Sequence, residues 1–262
     1  MKYKKTVIFI DKHMNDLLKD LQTLIKQPSI SAKNEGIEEC AVLVAKMLKK
    51  AGVSSEILRL NKIAAPLVFG EIKSKSNPSK TLLFYNHYDV QPVEPLEEWN
   101  DPPFSGKIIG NKIFGRGASD DKGELITRIK AVESYVKEYK DVPCNIKFCI
   151  EGEEENGSEN INGYLKKFKK KLSCDGVIWE FGYVDTKNRP IVGLGMKGLL
   201  YVELAAKESV RDAHSSFATI IKNPAWRLID VLKTFRNSDG KILIGGWHDD
   251  ILPLSKSDLK II

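Results

Sequence analysis

No Cys-x-x-Cys pair, no Gly-x-Ser-x-Gly and no apolar run long enough to span a bilayer occur in the 262 residues of this chain. Each absence excludes something. Without Gly-x-Ser-x-Gly there is no nucleophile elbow, and Ser119 beside Asp120 reads as a loop residue. Cys40, Cys144, Cys149 and Cys174 lack metal or redox spacing, so they read as small core residues in a reducing compartment, and a cytoplasmic location is expected. The basic start "MKYKKTVIFIDKHM" imitates a signal sequence, but its apolar run "VIFI" is shorter than the roughly 7–15 residues a signal needs. No later stretch approaches the roughly 20 apolar residues of a membrane span. No internal repeat or low-complexity segment is present. The net charge of +6 comes from 41 basic and 35 acidic residues, with the lysines scattered over helix faces. A basic stripe interleaved with aromatics is missing, so neither nucleic acid nor membrane is an expected partner.

What is there suits a packed core: 42% hydrophobic and 29% charged residues, enough for one large domain or a domain and a half. Met14, Leu17, Leu18, Leu21, Leu24 and Ile25 recur at helical spacing and stop before Pro28. Ile37, Cys40, Ala41, Val44, Ala45 and Leu48 form a second helical stripe, with Gly52 placed for a left-handed cap. "PLVFGEI", "TLLFYN", "NIKFCI" and "GVIW" read as buried strands, separated by helices over "KGELITRIKAVESYVKEYK" and around Ile161, Tyr164, Leu165 and Phe168. This alternation predicts an α/β fold, a mostly parallel sheet flanked by helices on both faces. From about Gly193 the pattern changes. "LLYVELAAK" predicts a half-exposed strand and "NPAWRLIDVLKTF" a helix capped by Asn223 with Pro224 in its first turn. The expected division is a catalytic unit over 1–193 and the start of a two-layer α+β unit over 194–262.

The segment "EGEEEN" follows a predicted buried strand and puts Glu151, Glu153, Glu154 and Glu155 into five positions. Alone it would read as a solvated acidic loop. Its companions change that reading: "LLFYNHYDVQP" ends a strand with His87 and Asp89, "IFGRGASDDKGEL" enters a helix through Asp120 and Asp121, and "DGVIWEFG" ends a strand with Glu180. Ligands of open α/β sheets collect at the carboxyl ends of strands, where His87, Glu154, Glu155 and Glu180 fall. Carboxylates gathered there repel by about 4 kcal/mol per pair at 4 Å with an effective dielectric near 20. One imidazole among several carboxylates matches the ligands of Zn²⁺ or Mn²⁺, and two such ions about 3.5–4 Å apart commonly share a carboxylate. Asp89 can orient His87 as a hydrogen-bond acceptor or through the local backbone. Hydrolysis also needs a glutamate to take the proton of the attacking water, and Glu154 and Glu155 can divide the base and ligand roles.

Taken in order, "NHYDVQP", "EWNDPPF", "GRGASDDKG", "EGEEENGS", "VIWE" and "RDAHSS" resemble the zinc aminoacylase and carboxypeptidase family. That family includes acetylornithine deacetylase, succinyl-diaminopimelate desuccinylase, glutamate carboxypeptidase and carnosinase. The resemblance runs from about residue 80 to 250 and is nearest in wording to the carnosinase-like dipeptidases. It implies that His87 and Glu180 bind a first metal, that Asp120 bridges two ions through a cis peptide to Asp121, and that Glu155 binds the second. It also implies Glu154 as general base, Asp89 as the residue holding His87, and His214 as the stabiliser of the oxyanion, often across a homodimer interface. The implied cofactors are two divalent ions, zinc or else manganese or cobalt.

The resemblance further implies longer members, whose chains return to complete the sheet and supply a last histidine ligand to the second metal. This chain ends before such a segment, so a fragment, a truncated frame or a shortened chain is expected, its second site built from Asp120 and Glu155. The expected activity is hydrolysis of a peptide or N-acyl amide bond beside a free carboxylate, in a small peptide or N-acyl amino acid. The alternatives are a catalytically incompetent metal-binding or dimerising remnant and an N-acyl-amino-acid deacylase. His13 reads as a surface residue, and His248 in "GGWHDD", a conceivable replacement ligand, is set aside because it falls in the second unit. "GLGMKG" satisfies Gly-x-Gly-x-x-Gly but precedes a predicted strand and not the helix a dinucleotide fold requires. "KKFKKK" reads as the solvated face of one helix.

Overall fold

The computed structural model describes residues 3–257 and 259, apart from 181, 194 and 196. It divides into two compact units, residues 1–194 and 195–262. The first unit opens with α1 (Lys4–Lys12), α2 (Met14–Lys26), α3 (Ile37–Lys50), β1 (Ser54–Leu58), β2 (Leu67–Ile72) and β3 (Thr81–His87). The hairpin of β4 (Lys107–Ile109) and β5 (Lys112–Phe114) precedes α4 (Lys122–Tyr139) and β6 (Asn145–Glu151). Next come α5 (Ile161–Lys167), α6 (Lys169–Leu172), β7 (Gly176–Ile178) and a short pair, β8 (Tyr183–Val184) with β9 (Pro190–Ile191).

Local chemistry explains the boundaries. α2 ends ahead of Pro28, whose ring disfavours helical dihedrals in the residue before it. Beyond α3, Gly52 takes φ 86°, its N–H reaches Lys49 O at 3.0 Å and the Val53 N–H reaches Leu48 O at 3.0 Å. This paired capping satisfies two orphan carbonyls, and a left-handed residue without Cβ makes it possible.

The five-stranded sheet runs in the order β1-β2-β6-β3-β7. β3 pairs parallel with β6 and β7, and β2 is antiparallel to both β1 and β6, so four of the five strands run the same way. Alternating side chains go to opposite faces. Val68, Ile146, Phe148 and Ile150 pack with Leu24, Val44, Leu125 and Ile129 of α2, α3 and α4. Leu67, Phe69, Leu83, Tyr85 and Cys149 pack on the other face with Tyr164 and Leu172. Helices therefore cover both faces, as predicted, and β6 is buried from Ile146 to Glu151.

Three expectations need correction, and one element is new. α1 was not anticipated, because its first turn holds no acidic residue and no side chain caps it. "GVIW" is not a buried strand: β7 lies at the sheet edge, which leaves Val177 50% and Ile178 42% exposed. "KKFKKK" is not one helix, since Phe168 leaves helical dihedrals (φ −112°, ψ 26°), stacks on Tyr164 and separates α5 from α6. "LLYVELAAK" forms no strand among the described residues, and no neighbour offers its backbone a ladder. Of "GLGMKG", Leu194 and Met196 lie outside the described residues. The second unit holds α7 (Pro224–Phe235), where Asn223 Oδ1 accepts the Ala225 N–H at 2.9 Å, as its sequence predicts. No helix among the described residues is long and apolar enough to cross a membrane.

Candidate metal centre

Parallel β3 and β6 end in register, with His87 opposite Glu151, so the loops after both strands open at one edge. His87 is 1% exposed. Its Nδ1 lies 3.0 Å from the Asp89 carbonyl oxygen and 3.3 Å from Asp89 Oδ1. The carbonyl takes the hydrogen bond, and the carboxylate stands at ion-pair distance from the same nitrogen. Nε2 faces Asp120 Oδ1 at 2.9 Å, Glu180 Oε2 at 3.5 Å and Glu154 Oε2 at 3.9 Å. The buried Asp89 carboxylate also accepts the N–H groups of Glu154 at 3.2 Å and Glu155 at 3.0 Å. One carboxylate thereby fixes the imidazole and the start of the 3-10 turn Glu154–Asn156 together. Gln91 Nε2 donates to Glu155 Oε2 at 2.8 Å. Asp120 and Asp121 are joined by a cis peptide, and Asp121 Oδ2 accepts the His87 N–H at 3.0 Å and Asn86 Nδ2 at 2.7 Å.

The four glutamates of "EGEEEN" divide their work. Glu151 points into the fold, where the Tyr85 hydroxyl and, at 2.9 Å, the Ser158 hydroxyl donate to its Oε1. Glu153 Oε1 accepts the Ala65 N–H at 2.7 Å and Asn160 Nδ2 at 3.1 Å. Glu154 and Glu155 are left to face Nε2 and its neighbours. Gly152 allows this arrangement, since a Cβ there would lie 2.3 Å from the hydroxyl oxygen of Tyr88. The Tyr88 ring is fully buried and anchored to the Pro66 carbonyl at 2.7 Å. Gly152→Ala should therefore cost about 1–3 kcal/mol in urea unfolding, the range for overpacking a rigid site. An unchanged midpoint would show that Tyr88 yields.

Desolvation works against charge on His87, yet hydrogen bonds to Asp120 and Asp89 and the charges of Asp121 and Asp89 lift its pKa to about 12. Burial pushes the Glu180 carboxyl up to about 8 and that of Asp121 to about 7. Burial likewise raises Glu154 and Glu155, whereas the hydrogen bond to His87 lowers Asp120. Among the described residues the imidazole is the one cationic group in ion-pair contact with Asp120, Glu154 and Glu180. Buried Glu180 Oε2 has no hydrogen-bond partner among the described residues, an arrangement that costs free energy unless a cation completes it. Ligand atoms of His87, Asp120 and Glu155 lie within 4.8 Å of one another, as do those of His87, Asp121 and Glu180. Two ligands about 2.1 Å from a tetrahedral ion stand roughly 3.4 Å apart. The 3.5 Å between His87 Nε2 and Glu180 Oε2 fits that spacing.

The structure thus brings together His87, Asp89, Asp120, Glu154, Glu155 and Glu180. It adds Asp121, which the sequence left as a neighbour, and Gln91. His214 belongs to the second unit, where its exposed ring lies with Nδ1 3.2 Å from the Ser216 nitrogen at the start of a short 3-10 turn. His13 is exposed, as expected, and His248 is exposed in the second unit.

A family model described as peptidase family M20/M25/M40 matches residues 83–242. The chain belongs to that family. The Cys-Gly metallodipeptidase dug1 of Schizosaccharomyces pombe is 31% identical over 277 residues, covering 98% of this chain and 57% of the relative. The Beta-Ala-His dipeptidase of Homo sapiens is 32% identical over 198 residues, covering 74% of this chain and 39% of that one. Among solved structures, an M20 family metallo-carboxypeptidase, Sso-CP2 from Sulfolobus solfataricus, superposes with a TM-score of 0.84 at 41% identity, covering 94% of this chain and 55% of that one. This M20 chain therefore spans about half the length of the curated relatives it matches. Membership of a metallopeptidase family implies a divalent ion, and its His, Asp and Glu groups can hold one.

Proposed function

We propose that the first unit is the catalytic part of a metal-dependent hydrolase that cleaves the peptide bond of a small substrate carrying a free carboxylate. The observation that carries this reading is buried Glu180 Oε2, without a hydrogen-bond partner among the described residues and 3.5 Å from the only ring nitrogen of His87 that Asp89 does not hold. The relatives' names, two dipeptidases and a carboxypeptidase, favour a dipeptide over an N-acyl amino acid. His87, Asp120 and Glu180 would hold one ion, and Asp120 with Glu155 would contribute to a second. Zinc is the ion proposed, on the mixed imidazole and carboxylate donors. When bound, such ions polarise the scissile carbonyl and lower the pKa of water.

The chain's own residues do the rest. Asp89 keeps the imidazole in one orientation, so Nε2 always faces the acids. Glu154, whose backbone N–H is tied to Asp89, would take the proton of the attacking water on its carboxylate and return it to the leaving amine. For His214 we propose stabilisation of the oxyanion, on the resemblance of "RDAHSS" alone. The free cysteines suit a cytoplasmic protein, and the same resemblance supports a homodimer.

The test is metal addition and removal. Zn²⁺ or Mn²⁺ at about 100 times its dissociation constant should add about 2.7 kcal/mol of stability, which a chelator reverses. Hydrolysis of a Cys-Gly and β-Ala-His panel should follow the same titration. If chelation changes neither melting temperature nor turnover, the metal reading fails.

A further inference from the structure

The ladder between β3 and β7 has three registered pairs and stops at Phe84 with Ile178. Beyond it β3 runs on to His87 while β7 has ended and an irregular segment leads to Glu180, whose side chain must nevertheless meet that of His87. Arg128, from α4, fills this gap. Its Nη1 donates to the Tyr85 carbonyl at 2.7 Å and to Asn86 Oδ1 at 3.0 Å, and its Nη2 donates to the Trp179 carbonyl at 2.6 Å. Glu124 Oε2 accepts from Nη2 at 3.0 Å, which aims the guanidinium, and the Arg128 side chain is 11% exposed.

One planar fork therefore takes over the work of the missing ladder bonds, holding the backbone two residues before His87 and one residue before Glu180. The rings of Tyr85 and Trp179 stack at 3.8 Å and tie the same two strand ends a second time. The reach extends further through Asn86, which accepts from Arg128 and donates to Asp121 Oδ2 at 2.7 Å. A guanidinium suits this work because its donors are fixed in a plane, whereas a lysine offers one compact ammonium.

We infer that Arg128 is a positioning residue that sets the spacing of His87 and Glu180, and through it the affinity of the centre for a divalent cation. The inference rests on the metal reading above. Outer residues that orient ligands typically account for 10–100-fold in metal affinity.

Zn²⁺ titration of the parent, Arg128→Met and Arg128→Lys by competition with a chromophoric chelator, alongside melting of the metal-free proteins, tests this. Arg128→Met should weaken Zn²⁺ binding 10–100-fold, and Arg128→Lys, which keeps a buried cation and guards against a folding failure, should fall between. In a Glu180→Gln background the Arg128→Met change should add little further loss. A merely structural role predicts a lower melting temperature with an unaltered Zn²⁺ dissociation constant in either variant, and that result overturns the inference. Equal losses with and without Glu180 overturn it as well. A parent that binds no Zn²⁺ removes the metal reading itself, and this inference with it.

Discussion

Glu154→Gln should lower the turnover of a cleaved dipeptide by about 10²–10⁴-fold while leaving metal content and melting temperature close to those of the parent. The Glu154 N–H is fixed by Asp89 Oδ1 at 3.2 Å, and the carboxylate, 34% exposed, approaches Nε2 no closer than 3.9 Å. Glutamine keeps the shape but cannot accept the proton of water. The effect should fall on kcat and not on KM, because the proposed base would act in the transition state. Glu155 supplies the internal control. It offers a ligand atom within 4.8 Å of those of His87 and Asp120, so Glu155→Gln should weaken metal binding first and turnover as a consequence. If both variants lose metal equally, the division of labour between the neighbours is wrong.

The contrast between these two and their neighbours shows where sequence reasoning reached and where it stopped. His87, Asp120 and Glu180 were legible because each follows or precedes a periodic segment, and the end of a parallel strand is where a sheet presents its ligands. Glu151 and Glu153 were not separable from Glu154 and Glu155 by charge or spacing. Their fates depend on Tyr85, Ala65 and Asn160, which only the folded chain brings to them. Arg128 sits in the middle of α4 and reads as any solvated helical arginine, because nothing local says that Tyr85 and Trp179 will end beside it. The helices α2, α3 and α4 emerged from their apolar stripes, but β1 went unread because it is short and half exposed. β7 went wrong for a related reason: an apolar strand looks alike at a sheet centre and at its edge, and neighbours decide which it is.

His87→Ala should abolish the Zn²⁺-dependent rise in melting temperature and also destabilise the metal-free protein, two effects of one cause. His87 offers a ligand atom to both candidate groups, so without it neither retains three donors. Without metal, the same ring is the cation that Asp89 and Asp120 share. Removing one member of a buried pair costs about 3–5 kcal/mol, and the figure here should lie below that range because Asp120 is 74% exposed and screened by solvent. The pH dependence has a definite sign. Folding raises the imidazole pKa from 6.5 to about 12, so its contribution is complete below about pH 6.5 and fades as pH climbs toward 12. Urea unfolding with chelator present should therefore show the gap between parent and variant narrowing from pH 6.5 to pH 9. Zn²⁺ affinity of the parent should rise over the same interval, because the proton on Nε2 competes with the ion. A gap that widens with pH would mean that the metal-free ring is neutral, and that the surrounding acids are held by something other than its charge.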